Sequence, residues 1–302
     1  MENPFGSNHF NNIGTYLKKE FGCRVMKLSL SAGFTCPNRD GSKGTGGCIF
    51  CSEDGSGHYA GEIPQQIRLL SGKWPQGKYI AYFQSYTNTY APVSTLRRLF
   101  DSALSYPGMV GLAVATRPDC LPEDVLDLLE EYNKKTWLWV ELGLQTIHDA
   151  TADRLNRCYP LSVFDEAMSA LKSRNIRSVV HLILGLPWES PEMMRETADY
   201  AGALHPFGVK LHMLYIIEKT GLAELFRQRP EVFHVFEKQE YIEFVVDILE
   251  RLPRDITIHR LTGDGPASQL VAPLWSADKR SILNGIQREF KKRGSWQGKL
   301  LL

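Results

Sequence analysis

Phe34-Thr35-Cys36-Pro37-Asn38-Arg39-Asp40-Gly41, followed after a short spacer by Gly46-Gly47-Cys48-Ile49-Phe50-Cys51, decides how the rest of the chain is read. Three thiols fall close together with no fourth thiol beside them. A structural zinc site closes with four ligands, whereas a cofactor site can leave one metal position open for chemistry. The Gly and Pro content makes the segment a loop. The apolar run Val25-Met26-Lys27-Leu28-Ser29-Leu30 leads into it and reads as a strand. Cys36, Cys48 and Cys51 are therefore candidate metal ligands at the C-terminal end of a first strand. A zinc knuckle built on Cys48, Cys51 and two distant ligands remains a competing reading.

Outward from the loop, strands and helices alternate. Tyr79–Phe83, Val110–Ala115, Trp137–Leu142, Val179–Leu184 and Val209–Tyr215 read as strands. Leu96, Leu99, Phe100 and Ala103 have helical spacing, as do Val125, Leu126, Leu128 and Leu129 after Pro122. Phe164, Ala167, Met168 and Leu171 mark a third helix, and Pro191 to Leu204 a fourth. With the first strand this makes six strand-plus-helix units, and consecutive units of this kind imply a parallel sheet. The expected class is α/β, a partial (β/α)6 barrel with catalytic groups at the C-terminal strand ends. Residues 1–24 form a short N-terminal arm, 25–225 the barrel, and 226–302 a C-terminal α/β extension of the same single domain. In that extension Val235–Leu252 and Ala277–Arg293 are helical, and Ile256–His259 is a further short strand.

The 302 residues carry a formal net charge of +1, so no global bias announces a nucleic acid. The N-terminal stretch lacks a basic-then-apolar signal pattern, and no apolar run approaches the roughly eighteen residues of a membrane span. These features predict a cytoplasmic protein with reduced thiols and no membrane partner. Six cysteines then suggest metal binding or catalysis. Cys23, Cys120 and Cys158 stand alone and read as small buried residues.

Several polar residues sit in apolar strands. Glu141 shares a strand face with Gly143 and Gln145, and a buried charge there points into a polar lumen or forms a structural ion pair. Lys210 and His212 alternate with Leu211 and Met213, which turns them toward the lumen, with His181 similarly placed. They are candidates for substrate or cofactor contact, or hydrogen-bonded core and rim residues. Arg260-Leu261-Thr262-Gly263-Asp264-Gly265 reads as a polar functional loop. Lys279, Arg280, Arg288, Lys291, Lys292, Arg293 and Lys299 surround Trp296. Such a patch can hold phosphates and stack a base, or simply be a solvated helix face.

The chain resembles the radical S-adenosylmethionine (SAM) superfamily, in its YtqA/YhcC-like branch. Within the superfamily it looks nearest to the radical SAM domains of the Elongator catalytic subunit and of oxygen-independent coproporphyrinogen oxidase. The likeness covers about residues 10–300. It rests on the cysteine motifs above, on Thr116-Arg117-Pro118-Asp119, on Glu141-Leu142-Gly143-Leu144-Gln145 and on Gly185-Leu186-Pro187. The usual spacing is Cys-x3-Cys-x2-Cys; here eleven residues separate Cys36 from Cys48, and the Elongator type also has a long first spacer.

The resemblance implies that Cys36, Cys48 and Cys51 hold three irons of a [4Fe–4S] cluster, leaving the fourth for SAM. An electron then cleaves SAM to methionine and a 5′-deoxyadenosyl radical. It further implies SAM contacts. Gln84 and Ser85 stand where a Gly-Gly-Glu-like motif meets the amino group, although the glycines are absent. Thr116 and Arg117 lie near the ribose, and Gln145 and Arg157 at the methionine end. Ile183 packs on adenine, and Leu214 is a further apolar contact. Arg157 reads, without the family, as a surface helix residue. Glu141 is both a cofactor and a catalytic candidate; Lys210 and His212 are catalytic candidates. The implied substrate is tRNA, with 5-carboxymethylaminomethyl-2-thiouridine at the wobble position converted to 5-aminomethyl-2-thiouridine. A flavodoxin or ferredoxin would supply electrons. The oligomeric state is open. A methylthiotransferase would need a second cysteine cluster, and an Elongator-like enzyme an acetyltransferase domain, for which this chain ends too soon. A radical SAM enzyme acting on a small molecule or protein, and a zinc-dependent RNA-binding protein, are the alternatives.

Overall fold

The computed structural model describes residues 2–53, 55, 60–72, 74, 77–263 and 265–301; Asp264 of the Gly-rich loop lies outside them. In chain order the elements are α1 (Ile13–Phe21), β1 (Val25–Leu30), α2 (Ile63–Ser71), β2 (Lys78–Phe83), α3 (Val93–Leu104), β3 (Met109–Thr116) and α4 (Glu123–Lys135). There follow β4 (Trp137–Gln145), α5 (Asp149–Arg154), α6 (Leu161–Ser173), β5 (Arg177–Leu184), α7 (Pro191–Ala203) and β6 (Gly208–Met213). The chain ends with β7 (Ile216–Ile217), α8 (Gly221–Gln228), α9 (Lys238–Arg251), β8 (Thr257–Arg260), β9 (Leu270–Ala272) and α10 (Lys279–Arg293).

Seven strands form one sheet in the order β1-β2-β3-β4-β5-β6-β8, the strand order of a partial barrel. Neighbours β1–β2, β2–β3, β3–β4 and β6–β8 are parallel. The expected count of six strands therefore rises to seven. The seventh comes from residues assigned to the extension: Thr257 and Ile258 are buried and pair beside Gly208 and Val209 of β6. Four residues are too few for periodicity alone to tell such a strand from a loop. Helices α1, α2 and α5, at nine, nine and six residues, went unread for the same reason of length.

The described chain falls into two compact units. One comprises Gly14–Gly143 and Asn156–Val179, the other Met1–Ile13, Leu144–Leu155 and Val180–Leu302. In the first, β1 and β2 run in register from Val25↔Lys78 to Leu30↔Phe83. The apolar stripe of α3 buries Leu96, Phe100 and Ala103. Phe100 packs edge-on against Phe83 of β2 and Tyr132 of α4, with ring centroids 5.2 and 5.4 Å apart. Such aromatic pairs add about 0.5–1.5 kcal/mol beyond burial, and here they fix two helices against a strand.

In the second unit, α9 packs on α10 at Gly285. A Cβ there would come within 2.4 Å of Ile242 Cδ1, so a larger residue would require that side chain to move. The N-terminal arm lies against the same region. Ile258 N donates to Asn11 O at 2.7 Å, and Gln297 N to His9 O at 2.8 Å. The His9 ring stacks on Phe290 at 5.3 Å. Among the described residues, no helix is long and apolar enough to cross a membrane.

Candidate functional site

The long spacer between the first two cysteines folds as a small hairpin. Arg39 N donates to Cys36 O at 2.8 Å, turning the chain at once. Asp40 and Thr45 then form an antiparallel bridge, with Gly41 N donating to Gly44 O at 3.1 Å across the tip. Gly47 N returns to Asn38 O at 2.8 Å and closes the base. The eleven spacer residues are thus stored in a projection that delivers Cys48 beside Asn38. Gly44 is required, because a Cβ would lie 2.2 Å from Asn38 Oδ1 and 2.9 Å from Cys158 Sγ. Past the last cysteine, the Arg39 guanidinium donates to Ser52 O at 2.5 Å and stands over the Tyr86 ring at 5.4 Å. One arginine thereby ties both ends of the loop to the segment after β2.

Charge converges on these thiols. A hydrogen bond from the Cys51 thiol, against the cost of burial and with help from Arg117, Asn38 and Arg157, lowers the Cys48 pKa to about 7. Cys51, as the donor and itself buried, is pushed up. Arg117 follows the C-terminal end of β3 and is only 8% exposed. Burial opposes its charge, but two hydrogen bonds of 2.9 Å to Asp119 override that and raise it. Arg157 is 1% exposed and lies in the loop before α6, not on a helix surface. Its Nε donates to Tyr159 O at 3.1 Å, and its guanidinium stands 4.6 Å from the Tyr159 ring centroid. Arg117 stacks on the same ring at 4.9 Å. Two buried guanidiniums beside one aromatic ring favour thiolates and any carboxylate that enters.

This donor set fits a [4Fe–4S] cluster. Three free thiols lie in one loop, with one of them held toward the thiolate by the Cys51 hydrogen bond and, to a lesser degree, by neighbouring arginines. Each iron of a cluster takes one thiolate, so the thiols need not converge on a point. Among the described residues no three His, Cys, Asp or Glu side chains are gathered to hold a single ion.

The other expected residues divide between the units. Beside the cysteine loop, Gln84 is half-buried directly after β2, where its N donates to Leu30 O at 3.3 Å, and Ser85 is buried. Thr116 is buried with its hydroxyl 2.5 Å from that of Thr89. Glu141 is 1% exposed and accepts a hydrogen bond from Trp139 Nε1 at 2.8 Å. In the other unit, Gln145 ends β4 at φ 66°, a conformation that non-glycine residues adopt only when held. Ile183 on β5 and Leu214 just past β6 are buried, and Leu214 N donates to Leu184 O at 2.9 Å. Lys210 is 1% exposed within β6, while Leu211 and Met213 on the opposite face are buried. His212 is half-buried, its ring 5.0 Å from that of His181.

Sequence reasoning missed Asn38, Asn156, Tyr159 and the contribution of Cys158. Cys158 was expected to be a small buried residue. It is half-buried, and its thiol donates to Asn38 Oδ1 at 3.0 Å. Position 158 has no sequence neighbour among the other cysteines; only the fold of residues 156–159 brings it to the loop.

The C-terminal patch also needs correction. Trp296 is 7% exposed, with Lys299 over its ring at 4.9 Å, so it offers no face for a base. Arg293 is bound to Asp247, to Glu250 at 3.1 Å and to Glu289 at 2.8 Å. Lys292 pairs with Glu289 at 3.3 Å. Arg280, Arg288 and Lys291 remain exposed along α10.

Comparison with known proteins agrees with this architecture. The radical SAM superfamily model matches residues 38–201, and the radical SAM C-terminal domain matches 206–292. The chain is 41% identical to the uncharacterized protein YtqA of Bacillus subtilis, covering 99% of this chain and 96% of that protein. It is 34% identical to protein YhcC of Escherichia coli, over 94% and 93% of the two chains. The structure of the archaeal Methanocaldococcus infernus Elp3 superposes with a TM-score of 0.68 at 18% identity, covering 90% of this chain and 64% of that one. At that identity the likeness is one of fold. The cysteine loop at the head of the parallel sheet, the family models and the full-length relatives together place this chain in the radical SAM superfamily of enzymes.

Proposed function

We propose that this radical SAM enzyme acts on the wobble uridine of tRNA, converting 5-carboxymethylaminomethyl-2-thiouridine to 5-aminomethyl-2-thiouridine. The bond that must break joins the side-chain nitrogen to the carboxymethyl carbon. In this reading Cys36, Cys48 and Cys51 hold a [4Fe–4S] cluster. Bound together, cluster and SAM supply a one-electron cleavage of SAM that yields a 5′-deoxyadenosyl radical.

The chain's own residues position and protect that chemistry. Arg157, buried and oriented by Tyr159, offers its fork to the methionine carboxylate, with Gln145 beside the methionine end. Gln84 and Ser85 take the amino group, Thr116 and Arg117 the ribose, Ile183 and Leu214 the adenine. Glu141, Lys210 and His212 are the groups available to orient substrate. A flavodoxin or ferredoxin provides the electron.

The observation that carries the cofactor assignment is the three-thiol loop with two buried arginines beside it. The substrate assignment is supported by the long cysteine spacer shared with the Elongator type and by the fold likeness to Elp3. Nucleoside mass spectrometry of tRNA from a deletion strain tests it. The carboxymethylaminomethyl nucleoside should accumulate at the expense of aminomethyl and methylaminomethyl products. Normal nucleosides, in a strain with no second route to them, overturn the tRNA reading in favour of a small-molecule or protein substrate.

A further inference from the structure

We propose that Asn38 is a positioning residue which polarises the Cys48 sulfur and clamps the loop that carries Arg157. This rests on the reading that Cys48 is a cluster ligand and that Arg157 receives SAM. Asn38 is fully buried. Its amide has two N–H donors and one carbonyl oxygen, and all of them are engaged. Nδ2 donates to Cys48 Sγ at 3.5 Å and to the Asn156 carbonyl at 2.5 Å. Oδ1 accepts from Cys158 Sγ at 3.0 Å. The main-chain carbonyl of the same residue closes the spacer hairpin through Gly47.

The second end of the contact is unusual backbone. Asn156 and Cys158 flank Arg157, and both lie in the left-handed region, at φ 58° and 63°. For cysteine this conformation persists only where surroundings hold it. Asn38 supplies a hold on each side of Arg157. Asn156 adds its own, donating from Nδ2 to Gly47 O at 2.8 Å and to Thr45 O at 3.1 Å. The backbone on both sides of Arg157 is thus held by the cysteine loop itself, while Tyr159 orients its side chain. A hydrogen bond aimed at a cluster sulfur stabilises the more electron-rich state and raises the reduction potential. One buried amide therefore couples where SAM is gripped to how readily the cluster takes an electron.

Asn38→Asp is the sharpest variant, because it keeps the shape and the acceptor and removes both N–H donors. In cluster-loaded protein its midpoint potential, followed by electron paramagnetic resonance, should shift to more negative values. SAM affinity should fall roughly three- to tenfold as the loop loosens. Cys158→Ala leaves the N–H···S contact in place. It should keep the wild-type potential while amide hydrogen exchange over residues 155–160 accelerates, and Cys158→Ser should restore slow exchange. Exchange is measured on both the loaded protein and the protein before cluster loading, so the clamp is tested even if Asn38→Asp takes up no iron. Because Asn38→Asp also adds a carboxylate charge, which lowers the potential on its own, Asn38→Leu is measured beside it, and an Asn38→Leu potential equal to wild type overturns the tuning. Unchanged exchange in Cys158→Ala and Asn38→Asp overturns the clamp. Wild-type protein without an iron–sulfur signal defeats the cofactor reading instead, while the exchange result still decides the clamp.

Discussion

At the cysteine loop, Arg117 and Arg157 are buried against one tyrosine ring, and both act on the Cys48 thiol. At the end of α10, Arg293 is bound to Asp247, Glu250 and Glu289, and Trp296 lies under Lys299. Both regions concentrate cations and aromatics in the sequence. In the first the positive charges converge where anions belong. In the second the key arginine is matched by carboxylates of its own fold. Arg117 too has a carboxylate partner, Asp119, so what sets the first region apart is the buried thiol on which its cations also act; at the end of α10 the cation's partners are carboxylates, and the same residue types hold helices together.

The largest effect should follow from removing any one of Cys36, Cys48 or Cys51. Each change to Ala should abolish the cluster, read as loss of iron, sulfide and the paramagnetic signal after anaerobic reconstitution. Cys23→Ala should leave all three unchanged. Stoichiometric zinc in wild-type protein, without iron, would remove the first half of the comparison.

Arg157→Ala comes next. A charge-assisted bidentate contact contributes about 1.5–3 kcal/mol, so SAM affinity should fall by roughly ten- to a hundredfold with the cluster retained. Calorimetry showing unchanged affinity in a loaded variant would return Arg157 to a purely structural partner of Tyr159.

Arg293→Ala should act on stability and leave SAM cleavage alone. Its side chain is 25% exposed and joins α10 to α9, and its loss takes a partner from Asp247, Glu250 and Glu289, of which Glu289 keeps Lys292 and Asp247 keeps Arg195, at a cost of about 2 kcal/mol. The effect should also depend on pH. Burial alone would raise Glu289, but the hydrogen bonds and charges of Arg293 and Lys292 hold it below its usual value. A folded-state pKa depressed in this way contributes stability that is present above the unfolded value of about 4.3. That contribution is lost as pH falls through the lower folded value. The wild-type and Arg293→Ala unfolding midpoints should therefore converge in acid below about pH 4.

Much of this was legible in the sequence where the backbone pattern itself carries the geometry. The strands ending at Leu30, Phe83 and Thr116 read directly from apolar runs, and the three thiols from their spacing. Arg157 is placed at the site by resemblance alone; its local sequence reads as a surface helix residue, and only the fold buries it in a loop. Strand β8 was legible as the short apolar run Ile256–His259, but its place as the seventh strand of the sheet, beside β6, was not. Asn38, Asn156 and Cys158 meet across about a hundred and twenty residues, a separation that no local pattern encodes. Trp296 was misjudged because its flanking lysines and arginines suggest solvent, whereas Gln297 and the arm around His9 enclose that end of the chain.

The smallest effect concerns the cations that the α10 region leaves exposed. Arg288 and Lys291 are exposed on the outer face of the helix, whereas Arg293 is not available without breaking the network. Arg288→Glu with Lys291→Glu is therefore the clean charge reversal. It should change stability by no more than about 0.5 kcal/mol, since neither side chain is buried. If α10 follows a tRNA backbone, the double variant should bind tRNA several-fold more weakly and lower the salt slope of log affinity by roughly two. Trp296→Phe should leave tRNA affinity unaltered, because a buried ring cannot stack a base. Equal tRNA affinity and equal salt slope in the double variant would mean that α10 presents a solvated face. Weaker binding in Trp296→Phe, at unchanged stability, would mean that the ring is uncovered in the complex, and the contrast between the two regions would then narrow to Arg293 alone.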